Sequence, residues 1–321
     1  MIYTPLDKIV VVCGPTASGK SELALRLAKE LDGEIVNADS MQIYRGLDIG
    51  TAKPSPDQQA AVRHHLIDVA DPDQLYSAAD YADAADKAIR DIISRGKRVI
   101  VAGGTGLYIR ALVNGLADLP SGGGDYRKDL QLEAERIGND AMLEKLRCID
   151  PVIAADLHPN NLVRIIRALE VYLMTGVPLS RYQKEHGFSA NRYNACQVGI
   201  TVDRQLLYDR IDVRVEQMMA AGLLAEVEGL LAAGYGRDLK SMRSIGYKES
   251  AAHLNGELSG EEAVRLIKRD TRHYAKRQRT WFKADKNIMW FEYPEKFGTV
   301  LEYTFNFYEQ QEDNDNGQGT F

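Results

Sequence analysis

Cysteine is scarce in this 321-residue chain. Cys13, Cys148 and Cys196 are odd in number, far apart and free of any C-x-x-C pairing. Neither a disulfide framework nor a zinc site is therefore indicated, and three reduced thiols in a cytoplasmic protein are expected. No apolar run approaches the roughly 18 residues of a membrane span. The start of the chain passes from Met1 to the short run Ile9-Val10-Val11-Val12 without the architecture of a cleavable signal, so no membrane partner is expected. An excess of positive charge is also missing: 40 Lys and Arg face 46 Asp and Glu, a net charge of −6. Composition alone would not suggest a nucleic-acid binder. What remains is 45% hydrophobic and 27% charged, which excludes a disordered or collagen-like chain and suits one or two globular domains.

The average conceals local asymmetry. From Glu309 onward the chain carries Glu309, Glu312, Asp313 and Asp315 without a base, whereas Lys268–Lys283 holds seven Lys or Arg and one acid, Asp270. Strands and helices alternate over the first hundred residues. Ile9–Cys13 reads as a strand, Ser21–Leu31 as a helix closed by Gly33, Glu34–Ala38 as a second strand, and Ser77 with Asp80 as a capping box opening a helix to Arg95. Arg98–Ala102 is a third strand, ending in Gly103-Gly104-Thr105-Gly106. This order predicts an α/β fold with a parallel sheet core flanked by helices and ligands at the carboxyl ends of the strands.

After Gly115 the pattern becomes helical, beyond a hinge at Pro120–Gly124, and strands resume at Gln197–Val202, with Asp203 as the N-cap of a helix from Arg204 to Ala221. Residues 115–196 are thus expected to be an all-helical inserted domain in a core formed by 1–114 and 197–308. A long basic helix near 261–283 and a strand at Asn287–Phe291 complete that core, and 309–321 is expected to be a disordered acidic tail.

Gly14-Pro15-Thr16-Ala17-Ser18-Gly19-Lys20-Ser21 satisfies G-x-x-x-x-G-K-[ST] between an apolar strand and an amphipathic helix. Backbone N–H groups there converge on a phosphate chain, Lys20 adds a point charge and Ser21 can hold Mg²⁺, so a di- or triphosphate ligand is expected. The strand 98–102 has no acid at its end, unlike the usual metal-holding strand of a P-loop NTPase. Its glycine-rich turn suggests either a second close approach of backbone to ligand or a tight strand–helix turn. Asp39, at the end of the second strand, can be a metal-shell ligand, a general base or an N-cap.

Gly14–Ser21, Asp39–Tyr44, Asp48–Pro54, Gly103–Tyr108, Arg164–Val171, Arg243–Lys248 and Ala275–Trp281 together resemble the ordered motifs of the bacterial tRNA dimethylallyltransferase family. The resemblance spans roughly residues 7 to 293. It implies a P-loop NTPase-like core with an inserted helical domain, and transfer of a dimethylallyl group from its diphosphate to the exocyclic amine of adenosine 37, beside the tRNA anticodon. It further implies Asp39, Lys20, Thr105 and Arg214 as catalytic residues, Mg²⁺ as cofactor, and an anticodon stem-loop and dimethylallyl diphosphate as partners of a monomer. Arg210 and Arg214 lie four apart on one helix face, so spacing alone does not choose between them. The residues expected at the tRNA are Asp39, Ser40, Met41, Gln42, Thr105, Arg127, Arg164, Arg167, Arg243, Lys248, Arg272, Lys276 and Arg279.

The long helix adds its own argument. Arg265, Arg269, Arg272, Lys276, Arg279 and Lys283 recur at steps of 4, 3, 4, 3 and 4, while Val264, Ile267, Thr271, Tyr274, Gln278 and Trp281 form a second stripe about 100° away. One stripe can pack on the core while the other meets RNA phosphates. Three other readings compete: a P-loop nucleotide kinase, an adenylate isopentenyltransferase acting on free nucleotide, and a non-catalytic RNA-binding or switch NTPase.

Overall fold

The computed structural model describes residues 6–117, 119, 124–187 and 191–310. The chain divides into two compact units: one comprises residues up to Val113 and from Arg192 onward, the other Asn114–Asn191. In chain order the elements are β1 (Lys8–Cys13), α1 (Lys20–Glu30), β2 (Gly33–Asn37), α2 (Pro56–Ala61), β3 (His64–His65), α3 (Ala78–Ser94), β4 (Arg98–Gly103) and α4 (Gly106–Asn114). The helical stretch α5 (Gly124–Ile137), α6 (Asn139–Ile149), α7 (Pro151–Ala155), α8 (Leu162–Thr175) and α9 (Leu179–His186) follows. The chain then adds β5 (Asn194–Thr201), α10 (Arg204–Ala220), α11 (Leu223–Ala232), α12 (Tyr247–Leu254), α13 (Gly260–Lys283), β6 (Ile288–Glu292) and α14 (Phe297–Glu309).

The strands form one parallel sheet in the order β3-β2-β4-β1-β5-β6. β1 is interior, with Val10 opposite Ile100 on one side and Cys196 on the other. Its unbroken apolar run follows from burial on both faces. Val10 and Val12 pack with Leu23 and Leu27 of α1, whereas Ile9, Val11 and Cys13 join the cluster of Tyr81, Ala85 and Ile89 from α3 and Leu112 from α4. The chain leaves β1 toward β2 on one side and leaves β4 toward β5 on the other. The order therefore reverses between β1 and β4, and a crevice opens beyond their carboxyl ends. Ile43, Tyr44 and Leu47 carry the segment after β2 into a third cluster with α10, α11, α12 and α13. The helical unit has a core of its own around Leu130, Met142, Leu146, Ile165 and Leu169.

Two caps form as their sequences predict: Ser77 and Asp80 make a reciprocal box at α3, and Asp203 accepts the N–H groups of Gln205 and Leu206 at 2.8 and 3.1 Å. Other boundaries differ. Gly33 does not close α1 but opens β2, where a Cβ would lie 2.7 Å from the Arg98 carbonyl oxygen. Asp32 instead takes the positive φ of 50°. β5 begins at Asn194 rather than Gln197, because the Asn194 N–H joins the Asp7 carbonyl at 3.0 Å and draws the strand start into the sheet. Glu309 is not the start of a tail. It ends α14, pairs with Arg98, and follows Tyr308, whose hydroxyl donates to the Val99 carbonyl at 2.6 Å. The remaining acidic tail from residue 311 lies outside the described residues, as do hinge residues 120–123. Among the described residues no helix is long and apolar enough to cross a membrane.

Candidate functional site

Gly14–Ser21 wraps from β1 into α1 with Gly14, Ala17 and Gly19 at φ 153°, 62° and 96°. Gly19 is the N-cap of α1, and no side chain caps that end, so the first N–H groups of the helix remain open to an anion. Ser18 is fully buried and its hydroxyl has no partner among the described residues. Thr16 departs from the expectation that the whole loop faces phosphate, since its N–H donates to Gln278 Oε1 at 2.8 Å. Ser21 is exposed in the first turn of α1.

The Lys20 ammonium lies 3.4 Å from the Pro15 carbonyl oxygen. Burial pulls its pKa down to about 8, with the Asp39 carboxylate opposing the shift and the Arg214 guanidinium adding to it. Arg214, on α10, is itself lowered by burial and held charged by Asp39. Of the two α10 arginines four residues apart, Arg214 is thus the one within electrostatic reach of both Lys20 and Asp39. The start of α1, the turn after β2 and α10 bring these three charges together from positions 20, 39 and 214.

Asp39 stands two residues beyond β2. Its Oδ1 accepts the N–H groups of Met41 at 2.9 Å and Gln42 at 3.4 Å, which makes it a cap of the turn it opens. Its Oδ2 makes none of the described hydrogen bonds. Thr105 accepts the Ser40 N–H at 2.9 Å and donates to Ser40 Oγ at 3.2 Å, and its own N–H reaches the Ala38 carbonyl at 3.1 Å. The turn after β4 is therefore stitched to the end of β2. Its glycines meet protein rather than open space. A Cβ would fall 2.1 Å from Ala38 O at Gly103, 2.3 Å from Gln278 Nε2 at Gly104 and 2.1 Å from Trp281 Nε1 at Gly106.

The segment after Asp39 is held by Glu226, which the sequence did not single out, and by residues of two of the quoted motifs. Glu226 accepts the N–H groups of Asp48, Ile49 and Gly50 at 3.1, 2.7 and 3.2 Å and the Tyr247 hydroxyl at 2.5 Å. The buried Lys53 bridges Asp48, Asp68 and the Tyr44 carbonyl at 2.5, 2.6 and 2.9 Å. Gln42, expected at the tRNA, is buried, and its amide donates to the carbonyls of Thr51 and Ala52 at 3.1 and 3.2 Å. Met41 is half-buried beside it in the third core cluster. No periodicity or spacing marks Glu226, and the helical period marks Gln278 only as an inward-facing residue, because each acts on backbone far away in sequence.

The basic residues separate into two groups. In the helical unit Arg127, itself exposed, and Arg167 both bind the buried Glu170 at 2.7 Å, while Arg164 is exposed. Lys248 pairs with Asp270 at 3.0 Å. On α13, Arg265 pairs with Glu262, Arg269 with Asp270 at 2.8 Å and Arg272 with Asp212 at 3.3 Å. Lys276, Arg279, Lys283 and, before α12, Arg243 are exposed and form no ion pair among the described residues. The buried face of α13 is Ala263, Ile267, Ala275, Gln278 and Phe282. It is turned slightly from the predicted stripe, so that Trp281 is 39% exposed.

A parallel sheet with a G-x-x-x-x-G-K-S loop after an interior strand, and charged groups gathered beyond the strand ends, defines a P-loop NTPase-like α/β protein. The sequence profile of the IPP transferase family matches residues 42–285. The chain is 64% identical over 304 residues to tRNA dimethylallyltransferase 1 of Pelobacter propionicus, covering 95% of this chain and 98% of that one. It is 58% identical to tRNA dimethylallyltransferase 2 of Geotalea uraniireducens, covering 94% and 97%. Among solved structures, the full-length tRNA isopentenylpyrophosphate transferase of Bacillus halodurans superposes with a TM-score of 0.69 at 41% identity, covering 94% and 97%. A eukaryotic dimethylallyltransferase solved acting on tRNA gives 0.80 at 27% identity, covering 95% and 81%. The chain belongs to the IPP transferase family.

Proposed function

We propose that the protein transfers the dimethylallyl group of dimethylallyl diphosphate to the exocyclic N6 of adenosine 37, beside the tRNA anticodon, and releases diphosphate. The observation that carries this reading is the meeting of Lys20, Asp39 and Arg214 beyond the carboxyl ends of β1 and β2 in a member of the IPP transferase family. The relatives named tRNA dimethylallyltransferase, and the eukaryotic enzyme solved acting on tRNA, support the choice of substrates.

In the reaction the amine nitrogen forms a bond to the allylic carbon as the carbon–oxygen bond to diphosphate breaks. The amine is a weak nucleophile, because its lone pair is delocalised into the purine. Asp39 Oδ2, which makes none of the described hydrogen bonds, would accept its hydrogen bond and then its proton. Lys20, Arg214 and the open N–H groups at the start of α1 stabilise the negative charge that grows on the departing diphosphate. Thr105 fixes the turn beside Asp39 through Ser40. Among the described residues there is no cluster of three or more His, Cys, Asp or Glu that could hold a metal. The donor set therefore suits an ion carried largely by the diphosphate oxygens and water, with Ser21 supplying a hydroxyl, which is how Mg²⁺ is usually held. Bound there, Mg²⁺ would neutralise charge on the leaving group. Arg243, Lys276, Arg279 and Lys283 offer the exposed cations for RNA phosphates, and an adenine in a loop can be unstacked at modest cost. We place the enzyme in the cytoplasm as a monomer.

The experiment combines the protein, an unmodified anticodon stem-loop, dimethylallyl diphosphate and Mg²⁺, and weighs the RNA. A gain of one five-carbon unit on the adenosine is expected. Prenylation of free AMP or ADP instead would favour an adenylate isopentenyltransferase, and ATP-dependent phosphorylation of a nucleotide would favour a kinase.

A further inference from the structure

Gln278 belongs to the basic helix α13 yet lies almost wholly inside the protein, at 5% exposure. Its amide joins the two glycine-rich turns that border the crevice. Oε1 accepts the Thr16 N–H at 2.8 Å and Nε2 donates to the Gly104 carbonyl at 2.9 Å. Gly104 must lack a side chain for this, since a Cβ would fall 2.3 Å from Nε2. The residue after Thr16 is Ala17, held at φ 62°, a left-handed conformation unfavourable for a residue with a Cβ. Such strain persists only where the surroundings impose it. The Thr16 N–H held by Gln278 and the Ser18 N–H, which reaches the Pro15 carbonyl at 3.3 Å, flank Ala17 and can impose it together. Two residues before Gln278 and one after it, Lys276 and Arg279 are exposed. One turn of α13 thus carries the clamp inward and free cations outward.

We infer that Gln278 is a positioning residue that holds the Gly14–Ser21 loop in its strained, anion-receptive shape and couples that shape to RNA docking on the outer face of α13. The first half depends only on the loop and its anion. The coupling rests on the tRNA reading proposed for this site. By linkage, RNA that settles α13 must tighten the diphosphate site by the same factor as diphosphate tightens RNA.

Inorganic diphosphate with Mg²⁺ is the probe, titrated calorimetrically into the wild type, Gln278→Met, Ala17→Gly and the double variant, each with and without an unmodified anticodon stem-loop. Methionine keeps the volume but makes neither hydrogen bond. Gln278→Met should bind diphosphate about tenfold more weakly, and in steady state should lose kcat and raise the KM for RNA, at saturating dimethylallyl diphosphate, by the coupling factor it has lost. Adding Ala17→Gly, which removes the strain, should restore most of the diphosphate affinity, a rescue that a packing defect would not show. The stem-loop should tighten diphosphate in the wild type and leave Gln278→Met unchanged. Should Gln278→Met fail to fold, Gln278→Asn, whose amide is too short to span both turns, should show the same loss and rescue. Wild-type diphosphate affinity in both variants, absence of rescue by Ala17→Gly, or equal coupling to RNA with and without the clamp would overturn the inference. A wild type that binds diphosphate but never the stem-loop would instead defeat the tRNA reading and the coupling, leaving the loop clamp to be judged by the affinities alone.

Discussion

Because Asp39 Oδ1 already accepts the N–H groups of Met41 and Gln42, asparagine at this position can still cap the turn while losing the charge and basicity at the other oxygen. Asp39→Asn is therefore expected to keep the thermal midpoint of the wild type and to lower kcat about 10²–10⁴-fold. Single-turnover prenyl transfer with both substrates saturating, repeated across Mg²⁺ concentrations, checks this. Full rescue by Mg²⁺ would assign Asp39 to the metal shell instead. Lys20 offers a test by pH. Its pKa in the ligand-free protein is near 8, below the usual lysine value. Folding thus gains stability as pH rises from 8 toward 10.5 and carries the full penalty below 8. A diphosphate beside the ammonium favours the charged form, so binding should take up a proton near and above pH 8, and affinity should fall as pH climbs past it. Calorimetry in buffers of different ionisation enthalpy measures the uptake. Lys20→Met should abolish it, and a pH-independent affinity in the wild type would contradict the shifted pKa.

At the scale of elements, α13 is the one whose outer face the structure reinterprets. Six bases align along it, but ion pairs with Glu262, Asp270 and Asp212 engage Arg265, Arg269 and Arg272. An exposed ion pair contributes little to stability, yet it partly cancels the field that a phosphate would feel. Neutralising Lys276, Arg279 and Lys283 together should therefore weaken stem-loop binding and flatten its salt dependence, by about 0.7–0.9 in the slope of log K against log salt for each phosphate no longer neutralised. Neutralising Arg265 and Arg269 should change the slope much less. Filter-binding titrations between about 50 and 200 mM salt, the range over which phosphate pairing is felt, separate the two sets, and an unchanged slope in the first would leave its cations merely solvated.

The whole molecule shows its pH dependence at the sheet edge where β2, β3 and the end of α3 meet. Glu34 accepts from Arg95 Nη2 at 2.8 Å and lies 2.7 Å from His65 Nε2. The Arg95 hydrogen bonds hold its carboxyl at about 2, against burial, with His65 assisting. A depressed carboxylate stabilises the fold fully above its unfolded value of 4.5 and loses that contribution as pH falls toward 2. The shift corresponds to about 3 kcal/mol at its upper limit. Chemical denaturation followed from about pH 6 to about pH 3, which crosses the unfolded value and approaches the folded one, should show the decline under way in the wild type. Glu34→Gln should be less stable at the upper end of that range by about 2–3 kcal/mol and should lose less on acidification. Parallel pH profiles for the two proteins would remove Glu34 from the acid response.

What the sequence determined by itself was whatever depends on neighbours along the chain. The apolar run at 9–13, the loop Gly14–Ser21, the capping box at Ser77, the N-cap at Asp203 and the 3.6-residue period through α13 all act within a few residues, so their signals survive without coordinates. The parallel α/β core and the glycine-rich loop after β1 were legible for that reason. Short or late elements were not. β3 has two residues, too few for a period, and α14 forms because Val300 and Thr304 bury and Tyr308 reaches Val99. Only the tertiary structure decided which groups meet. It put Arg214 rather than Arg210 near Lys20 and Asp39, committed Gln42 to the carbonyls of Thr51 and Ala52, tied Arg127 and Arg167 to Glu170, and set the Gln278 amide between Thr16 and Gly104. Apart from Arg167–Glu170, three residues apart on α8, each is a pairing of a polar side chain with groups that the fold brings beside it. It exists because a buried polar group must be satisfied by whatever the fold brings beside it, and sequence spacing carries no record of that partner.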